Sequence, residues 1–341
     1  MSKSSPPRRR RGSARTTLSQ VADVAGVSAI TVSRALNAPE RVNAETRRHI
    51  LATVERLGYV PNLVAGSLAS ASSRFIAVIV PSLANAVFIE VIQGLQETFE
   101  AEGYQILLGN TDYDLDREAQ LVRTFLGWSC SALVTAGLRH SDACRSLLSQ
   151  WDKPIMEMME LGEALDLNVG LDHSEAGRCM ARHLLTRGYR QIVYVAGRMA
   201  EDYRAGLRYA GHREILEGEG LAAPLLDLAH LGSLEAGAAA LERVLETHPR
   251  ADAIHFANDD LATGALLHAQ RLGLGVPKDI AIAGFNGLPL GQHVTPRLTT
   301  IRSPRQHMGQ LAAQRLLARL QGDVVSRRQD VGFELLPGDS S

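Results

Sequence analysis

Thr17-Leu-Ser-Gln-Val-Ala-Asp-Val-Ala-Gly-Val-Ser-Ala-Ile-Thr-Val-Ser-Arg-Ala-Leu-Asn37 reads as two short helices joined by a tight turn. Leu18, Val21, Ala22 and Ala25 recur at i, i+3, i+4 and i+7, one face of a first helix. Gly26 ends that helix and permits positive φ. Ser28 stands where the N-cap of a second helix belongs. In the second helix Ala29, Val32 and Leu36 form an inward stripe, while Ile30, Ser33, Arg34 and Asn37 share the opposite face. An aliphatic group beside Ser, Arg and Asn suits base edges in a major groove. Arg forks to guanine, Asn to adenine, and Ile meets a thymine methyl. The bland alternative is a helical hairpin with a solvated outer face; the turn and both faces agree instead with a helix-turn-helix.

The surrounding residues extend this head. Asn37-Ala-Pro-Glu-Arg-Val is a loop, Asn43 can cap a third helix with Ile50, Val54 and Leu57 inward, and Gly58 is placed to end it. Thr17 to Asn37 resembles the DNA-binding head of the lactose-repressor family, whose pattern T-hydrophobic-x-x-V-A-x-x-A-G-V-S-x-x-T-V-S-R-x-L-N it matches almost throughout. The resemblance places Thr17, Ser28, Ala29, Thr31 and Asn62 at the DNA with Ile30, Ser33, Arg34 and Asn37. Residues 61–72 resemble the family's hinge helix, two copies of which pair on DNA, and the resemblance makes Leu68 the minor-groove wedge. Gly66 stands where a longer helix former is usual and costs about 1 kcal/mol of helix stability. The expected organisation is a disordered basic tail over 1–14, a helix-turn-helix domain over 15–60, a hinge or small-residue linker over 61–72, and a body over 73–341.

The chain has 341 residues, enough for several domains, with 45% hydrophobic and 21% charged residues. Its net charge of −1 hides an asymmetry. Residues 1–61 carry 11 Lys+Arg against 4 Asp+Glu, a net +7, which leaves −8 on the remainder. A basic head on an acidic body is the footprint of a nucleic-acid module joined to something else. Cys130, Cys144 and Cys179 are odd in number, widely spaced and without a C-x-x-C, so neither a disulfide framework nor a zinc site is expected, and a reducing cytoplasm is. The basic N-terminus is not followed by an apolar run, so a secretory signal is not expected. No stretch approaches the roughly 18 apolar residues of a membrane span, and no cofactor is expected.

From Arg74 the texture changes. Phe75-Ile-Ala-Val-Ile-Val80 is a buried parallel strand by composition, and Phe88, Val91, Ile92, Leu95 and Phe99 follow at helical spacing. The alternation continues with a strand at 104–108, a helix at 115–127, a strand at 131–135, a helix at 141–150 and a strand at 154–158. A second series is predicted with helices at 174–187, 203–218, 234–247 and 261–272 and strands at 191–195, 225–229, 252–256 and 279–283. The chain then crosses back through 298–301, a helix at 305–320 and one extended piece at 330–336. Strand–helix alternation implies two doubly wound parallel sheets, an α/β body of two lobes, with a ligand cleft outside the carboxyl ends of the strands.

This body resembles the periplasmic-binding-protein-like, sugar-binding core of the same family, and the resemblance covers about residues 16–338. Val80 to Phe88, Val169 to Asp172, Asn258 to Gly264, Arg271 to Pro277 and Ala281 to Phe285 carry it, nearest to the gluconate-operon branch. Asn258 and Asp259 follow the strand 253–257 at a carboxyl edge and suit sugar hydroxyls; Asp259 can equally cap the next helix. Arg208 matches the family position that reaches the effector, and a guanidinium is the natural partner of a sugar-acid carboxylate. Arg305, after Pro304, is a second candidate. Asp172 ends a strand-like segment, with His173 where the family usually has Asn. Glu157 in an apolar strand is costly unless paired, which points to the cleft. Asn286 stands where many relatives carry Asp and would not repel an anion. Asn85 and His140, in loops at strand ends, complete the candidates, and Phe88 and Phe256 read as core.

These readings lead to a cytoplasmic, homodimeric repressor that binds palindromic operator DNA. Its effector is a sugar acid: gluconate, 2-ketogluconate or a phosphorylated relative. With Gly-Asp-Ser-Ser after Pro337, a tetramer-forming C-terminal helix like the lactose repressor's is not expected, and a dimer is expected over a tetramer. Release by inducer and dependence on a corepressor both remain open, as does a sugar-binding protein without a regulatory role. G-x-G-x-x-G after a strand, Walker, H-E-x-x-H and G-x-S-x-G motifs are all missing, so an enzyme is not expected.

Overall fold

The computed structural model describes residues 16–60, 73–229 and 232–341, with the backbone alone for Asn37. The expected tail, Asn62, Leu68 and the hinge lie outside these residues. The chain divides into two compact units, Met1–Ser73 and Arg74–Ser341.

In the first unit α1 spans Leu18–Ala25, α2 Ala29–Asn37 and α3 Ala44–Arg56. Thr17 and Gln20 form a reciprocal capping box at α1. Gly26 ends α1 with φ of 65°. Ser28 and Asn43 cap α2 and α3 through the backbone N–H groups of Thr31 and Thr46. The residues Pro39–Arg41, expected as loop, form a 3-10 turn led by Pro. Val21, Ala22, Ala25, Val32, Ala35 and Ile50 make the buried core. Ala35 joins the inward stripe beside Val32, a position the i, i+3, i+4 reading passed over.

The second unit holds two six-stranded sheets. The first lobe contains β1 (Phe75–Val80), β2 (Gln105–Asn110), β3 (Ala132–Thr135), β4 (Ile155–Glu160), β5 (Leu167–Leu171) and, from the end of the chain, β11 (Arg328–Asp330). Their order is β11-β5-β4-β3-β1-β2, all parallel. Helices α4 (Ala86–Ala101), α5 (Leu115–Gly127) and α6 (Asp142–Leu148) connect the early strands. The second lobe contains β6 (Ile192–Gly197), β7 (Leu225–Leu228), β8 (Ala253–Phe256), β9 (Ala281–Asn286), β10 (Thr299–Arg302) and β12 (Glu334–Leu336) in the order β12-β10-β9-β8-β6-β7. Its helices are α7 (His173–Thr186), α8 (Tyr203–Gly218), α9 (Leu234–Thr247), α10 (Asp259–Leu272) and the short α11 (Pro289–His293). Helix α12 (Arg305–Leu320) carries the chain back to the first lobe, against α4.

Two expectations need correction. The segment 330–336 is two strands, not one. Gly332 takes φ of 65° and its N–H bonds to the Asp330 side chain, so the chain turns out of the first sheet and enters the second. There β12 pairs antiparallel with β10. The second is β5, the strand-like segment before Asp172, which is a full strand of the first sheet in addition to those of the alternation. It is buried along its length although Asn168 interrupts its apolar pattern, because the Asn168 amide donates to the carbonyls of Glu157 and Glu160.

Helices α7 and α8 touch at glycines. A Cβ on Gly177 would lie 1.9 Å from the Arg208 carbonyl oxygen, and one on Gly211 would lie 1.9 Å from that of Ser174. This contact sets the backbone of Arg208 against α7. Gly211→Ala is therefore expected to lower stability by about 1–3 kcal/mol through overpacking, read as a lower denaturant midpoint at constant slope. Among the described residues, no helix is long and apolar enough to cross a membrane.

Candidate functional site

In the first unit the outward face of α2 is open. Ile30 is 64% exposed, and Arg34 is also exposed. Ser33 is half-buried. Ser28 and Thr31 share a hydroxyl–hydroxyl hydrogen bond at the start of the helix, and Thr17 is exposed at the cap of α1. Ala29 is partly buried against the three-helix core, so its small side chain serves packing. Arg47 and Arg48 add exposed cations on α3.

In the second unit a cleft lies where the carboxyl ends of both sheets meet the crossings between lobes. Asn85, Phe88, Tyr113, Met159 and Leu171 line it from the first lobe, and His173, Asp202, Arg204, Arg208, Asn258, Phe285, Asn286 and Ser303 from the second lobe and the crossing. Tyr113, Met159 and Asn286 hold positive φ (62°, 88° and 122°). Such conformations are costly for non-glycine residues and collect at ligand sites.

Arg208 is the chemical centre of this cleft. It projects from α8, is 4% exposed, and lies 4.2 Å over the centroid of the Phe285 ring. One Nη donates to Nδ1 of His173 at 2.9 Å and the other to the carbonyl of Ala257 at 2.9 Å. Its nearest carboxylate, Asp202, stands 3.9 Å away, and its Nε has no partner. A buried guanidinium held by neutral acceptors lacks most of the compensation that such a charge requires. Burial, then the charge of Arg208, holds the pKa of His173 well below its ordinary value. His173 is therefore neutral. Its Nδ1 accepts from Arg208, so the proton sits on Nε2, beside the backbone of Met159. Arg204, one helical turn before Arg208, donates to Glu160 at 3.2 Å and to the carbonyl of Ala136, and so joins the lobes. Asp202 occupies the N-cap position of α8 but makes no capping bond, which leaves its carboxylate to face the arginines.

Asn85, His173, Arg208, Asn258 and Asn286 thus share the cleft as the sequence placed them. Of three further candidates, Asp259 and Arg305 stand behind its wall and Asp172 is exposed outside it. Asn258, not Asp259, caps α10. Asp259 is buried, accepting from the Leu288 N–H and the Thr300 hydroxyl, both at 2.6 Å, and burial pushes its carboxyl up to about 6. Arg305 clamps the carbonyl of Asn286 and pairs with Glu90 at 2.8 Å. Asp172 caps α7 through the Glu175 N–H. Glu157 and His140 were expected at the cleft but lie in the interior of the first lobe, bonded to each other at 3.0 Å. The polar cost that pointed Glu157 to a ligand is met by His140 and by the Leu165 N–H. Phe88, read as core, is buried and also edges the cleft. Tyr113, Asp202 and Arg204 were missed, although Arg204 shares the i, i+4 face of Arg208.

Behind Arg208, His212 and His255 bond through their Nδ1 atoms at 3.0 Å, both fully buried. Burial holds His212 down at about 3 and His255 well below its ordinary value. The unfolded chain takes up protons near pH 6.5 that the folded rings refuse. Their contribution to stability is complete above that pH and is lost as pH falls towards the folded values. Asp259 acts in the opposite sense between its ordinary value and about 6. Thermal stability is expected to fall from about pH 7 to about pH 5, while the His212 and His255 ring resonances stay unshifted. Titration of either ring near pH 6.5 would contradict this.

A helix-turn-helix unit followed by a two-lobed α/β unit with a charged cleft defines a ligand-responsive DNA-binding regulator as a class. Residues 17–62 match the family described as bacterial regulatory proteins, lacI family, and residues 181–341 match the periplasmic binding protein-like domain. The chain is 37% identical over 328 residues to the HTH-type transcriptional regulator GntR of Escherichia coli (strain K12), covering 96% of this chain and 98% of that one. A crystal structure of a LacI-family transcriptional regulator from Silicibacter pomeroyi superposes with a TM-score of 0.90 at 36% identity, covering 95% and 99% of the two chains. The lac repressor dimer bound to operator superposes with a TM-score of 0.85 at 25% identity, covering 95% and 98%. The chain belongs to the LacI family of transcriptional regulators.

Proposed function

We propose that this protein is a cytoplasmic, homodimeric repressor of an operon for gluconate or a related sugar acid, released from a palindromic operator when the acid binds in the cleft. Residues 15–60 read one half-site each, 61–72 form the hinge, and 73–341 bind effector and pair the protomers. Ile30, Ser33 and Arg34 supply the base-reading groups, and Thr17, Ser28 and Thr31 lie beside the backbone. The observation that carries the ligand assignment is Arg208, a buried guanidinium with its nearest carboxylate 3.9 Å away. A ligand carboxylate completes that charge, and the Nε2–H of His173 with the amides of Asn85, Asn258 and Asn286 address its hydroxyls. Asp259 and Arg305 act from behind, by fixing the 286–288 turn and the start of α12. The GntR-named relative favours a regulator over an enzyme.

Because α7 and α12 both start at the crossings that edge the cleft, ligand contact there bears on the angle between the lobes. A change of that angle transmitted to paired hinges is the coupling free energy between the two sites. Calorimetric titration with gluconate, 2-ketogluconate, a phosphorylated gluconate and glucose tests the ligand class. Saturable heat with at least one acid and none with glucose is expected; a preference for glucose would overturn the assignment.

A further inference from the structure

A second polar cluster lies inside the first lobe, apart from the cleft-lining side chains. Glu118 comes from α5, His140 from the turn before α6, Cys144 from α6 itself and Glu157 from β4. All four are buried, Cys144 completely. His140 Nδ1 lies 3.0 Å from both carboxylate oxygens of Glu118, and its Nε2 lies 3.0 Å from Oε1 of Glu157. Ligand atoms of Glu118, His140 and Cys144 fall within 4.8 Å of one another. Bonds to zinc of about 2.0–2.3 Å place tetrahedral ligand atoms roughly 3.3–3.8 Å apart, inside that spread.

We propose that Glu118, His140 Nδ1 and Cys144 Sγ form a site for Zn²⁺ or a similar borderline-soft divalent cation, with Glu157 as the positioning residue on the far side of the imidazole. Oxygen, nitrogen and sulfur donors together favour such an ion over Mg²⁺ or Ca²⁺. The carboxylate on Nε2 fixes the tautomer that leaves Nδ1 free to ligate, the arrangement common behind metal-bound histidines. In the metal-free protein both nitrogens face carboxylates, so the ring carries two protons. Binding releases the Nδ1 proton and the Cys144 thiol proton to solvent. One divalent ion replaces two protons, so the buried net charge is the same before and after.

Glu118 edges a cavity that Tyr113 and Ala136 share with Tyr203 and Arg204 of the second lobe. The turn that carries His140 also meets that lobe. The N–H of Leu138 reaches the Tyr203 hydroxyl at 3.1 Å, and the carbonyl of Ala136 accepts from Arg204. A bound ion therefore fixes the turn on which the lobes meet.

The test is titration of tag-free, full-length protein with Co²⁺ under reducing conditions, followed by Zn²⁺. One Co²⁺ per chain is expected to give a thiolate charge-transfer band in the near ultraviolet and the visible absorption of a tetrahedral ion, both removed by Zn²⁺. Cys144→Ser should abolish the near-ultraviolet band, whereas Cys130→Ser and Cys179→Ser should keep it. Glu157→Gln should retain the band but weaken Zn²⁺ binding about 10- to 100-fold. The parent spectrum decides the matter even if Cys144→Ser does not fold. Only the weak spectrum of octahedral cobalt with no thiolate band, or a band that survives in folded Cys144→Ser protein, would overturn the proposal.

Discussion

Arg208→Ala is expected to weaken gluconate binding about 10- to 150-fold, the loss of a charge-assisted pair of roughly 1.5–3 kcal/mol. The effect is large because the guanidinium is buried and because its protein contacts are neutral apart from Asp202 at 3.9 Å. Removing it also takes away the donor to Nδ1 of His173. Arg208→Lys should rescue only partly, since an ammonium cannot both fork to a carboxylate and stack on Phe285. Operator affinity without ligand should change little, which separates loss of the ligand contact from loss of the fold. Calorimetry on both variants checks this, and unchanged gluconate affinity in Arg208→Ala would remove the anionic-effector assignment while leaving the DNA-binding assignment intact.

Arg34→Ala is expected to weaken operator binding by about 1–3 kcal/mol and to relax preference at one base position. The side chain is exposed on the face of α2 that also carries Ile30, and it is not needed for the head's core, which Val32 and Ala35 supply from the same helix. A lost phosphate contact would weaken all sequences alike. Binding-site selection with parent and variant therefore distinguishes base reading from backbone contact, and unaltered preference would contradict the reading face assigned to α2.

The head was legible because its information is local. Two caps, one glycine and a 3.6-residue period lie within Thr17 to Asn37, and each acts over three or four residues. The lobes were legible for the same reason, strand by strand and helix by helix. Helices 115–127, 203–218, 234–247 and 305–320 span the residues that the sequence predicts, the first and third of them capped by Asp114 and Ser233. The cleft was legible only in part. Arg208 could be placed, but Tyr113 and Met159 owe their position to backbone conformations that no side-chain pattern announces. Glu157 shows the limit from the other side. A carboxylate in an apolar strand needs a partner, but the sequence does not say whether the partner is a ligand or a residue of the chain. His140, seventeen residues earlier in the sequence, answers that need through a tertiary contact.

The central claim is that one chain joins operator release to an anionic sugar. The measurement that tests it most directly is fluorescence anisotropy of a labelled palindromic operator, obtained by binding-site selection, with the full-length protein and increasing gluconate or glucose. The account predicts tight binding to the operator, release by gluconate, and no response to glucose at the same concentrations. Operator binding that gluconate leaves unchanged or tightens, or that glucose relieves equally, would contradict it.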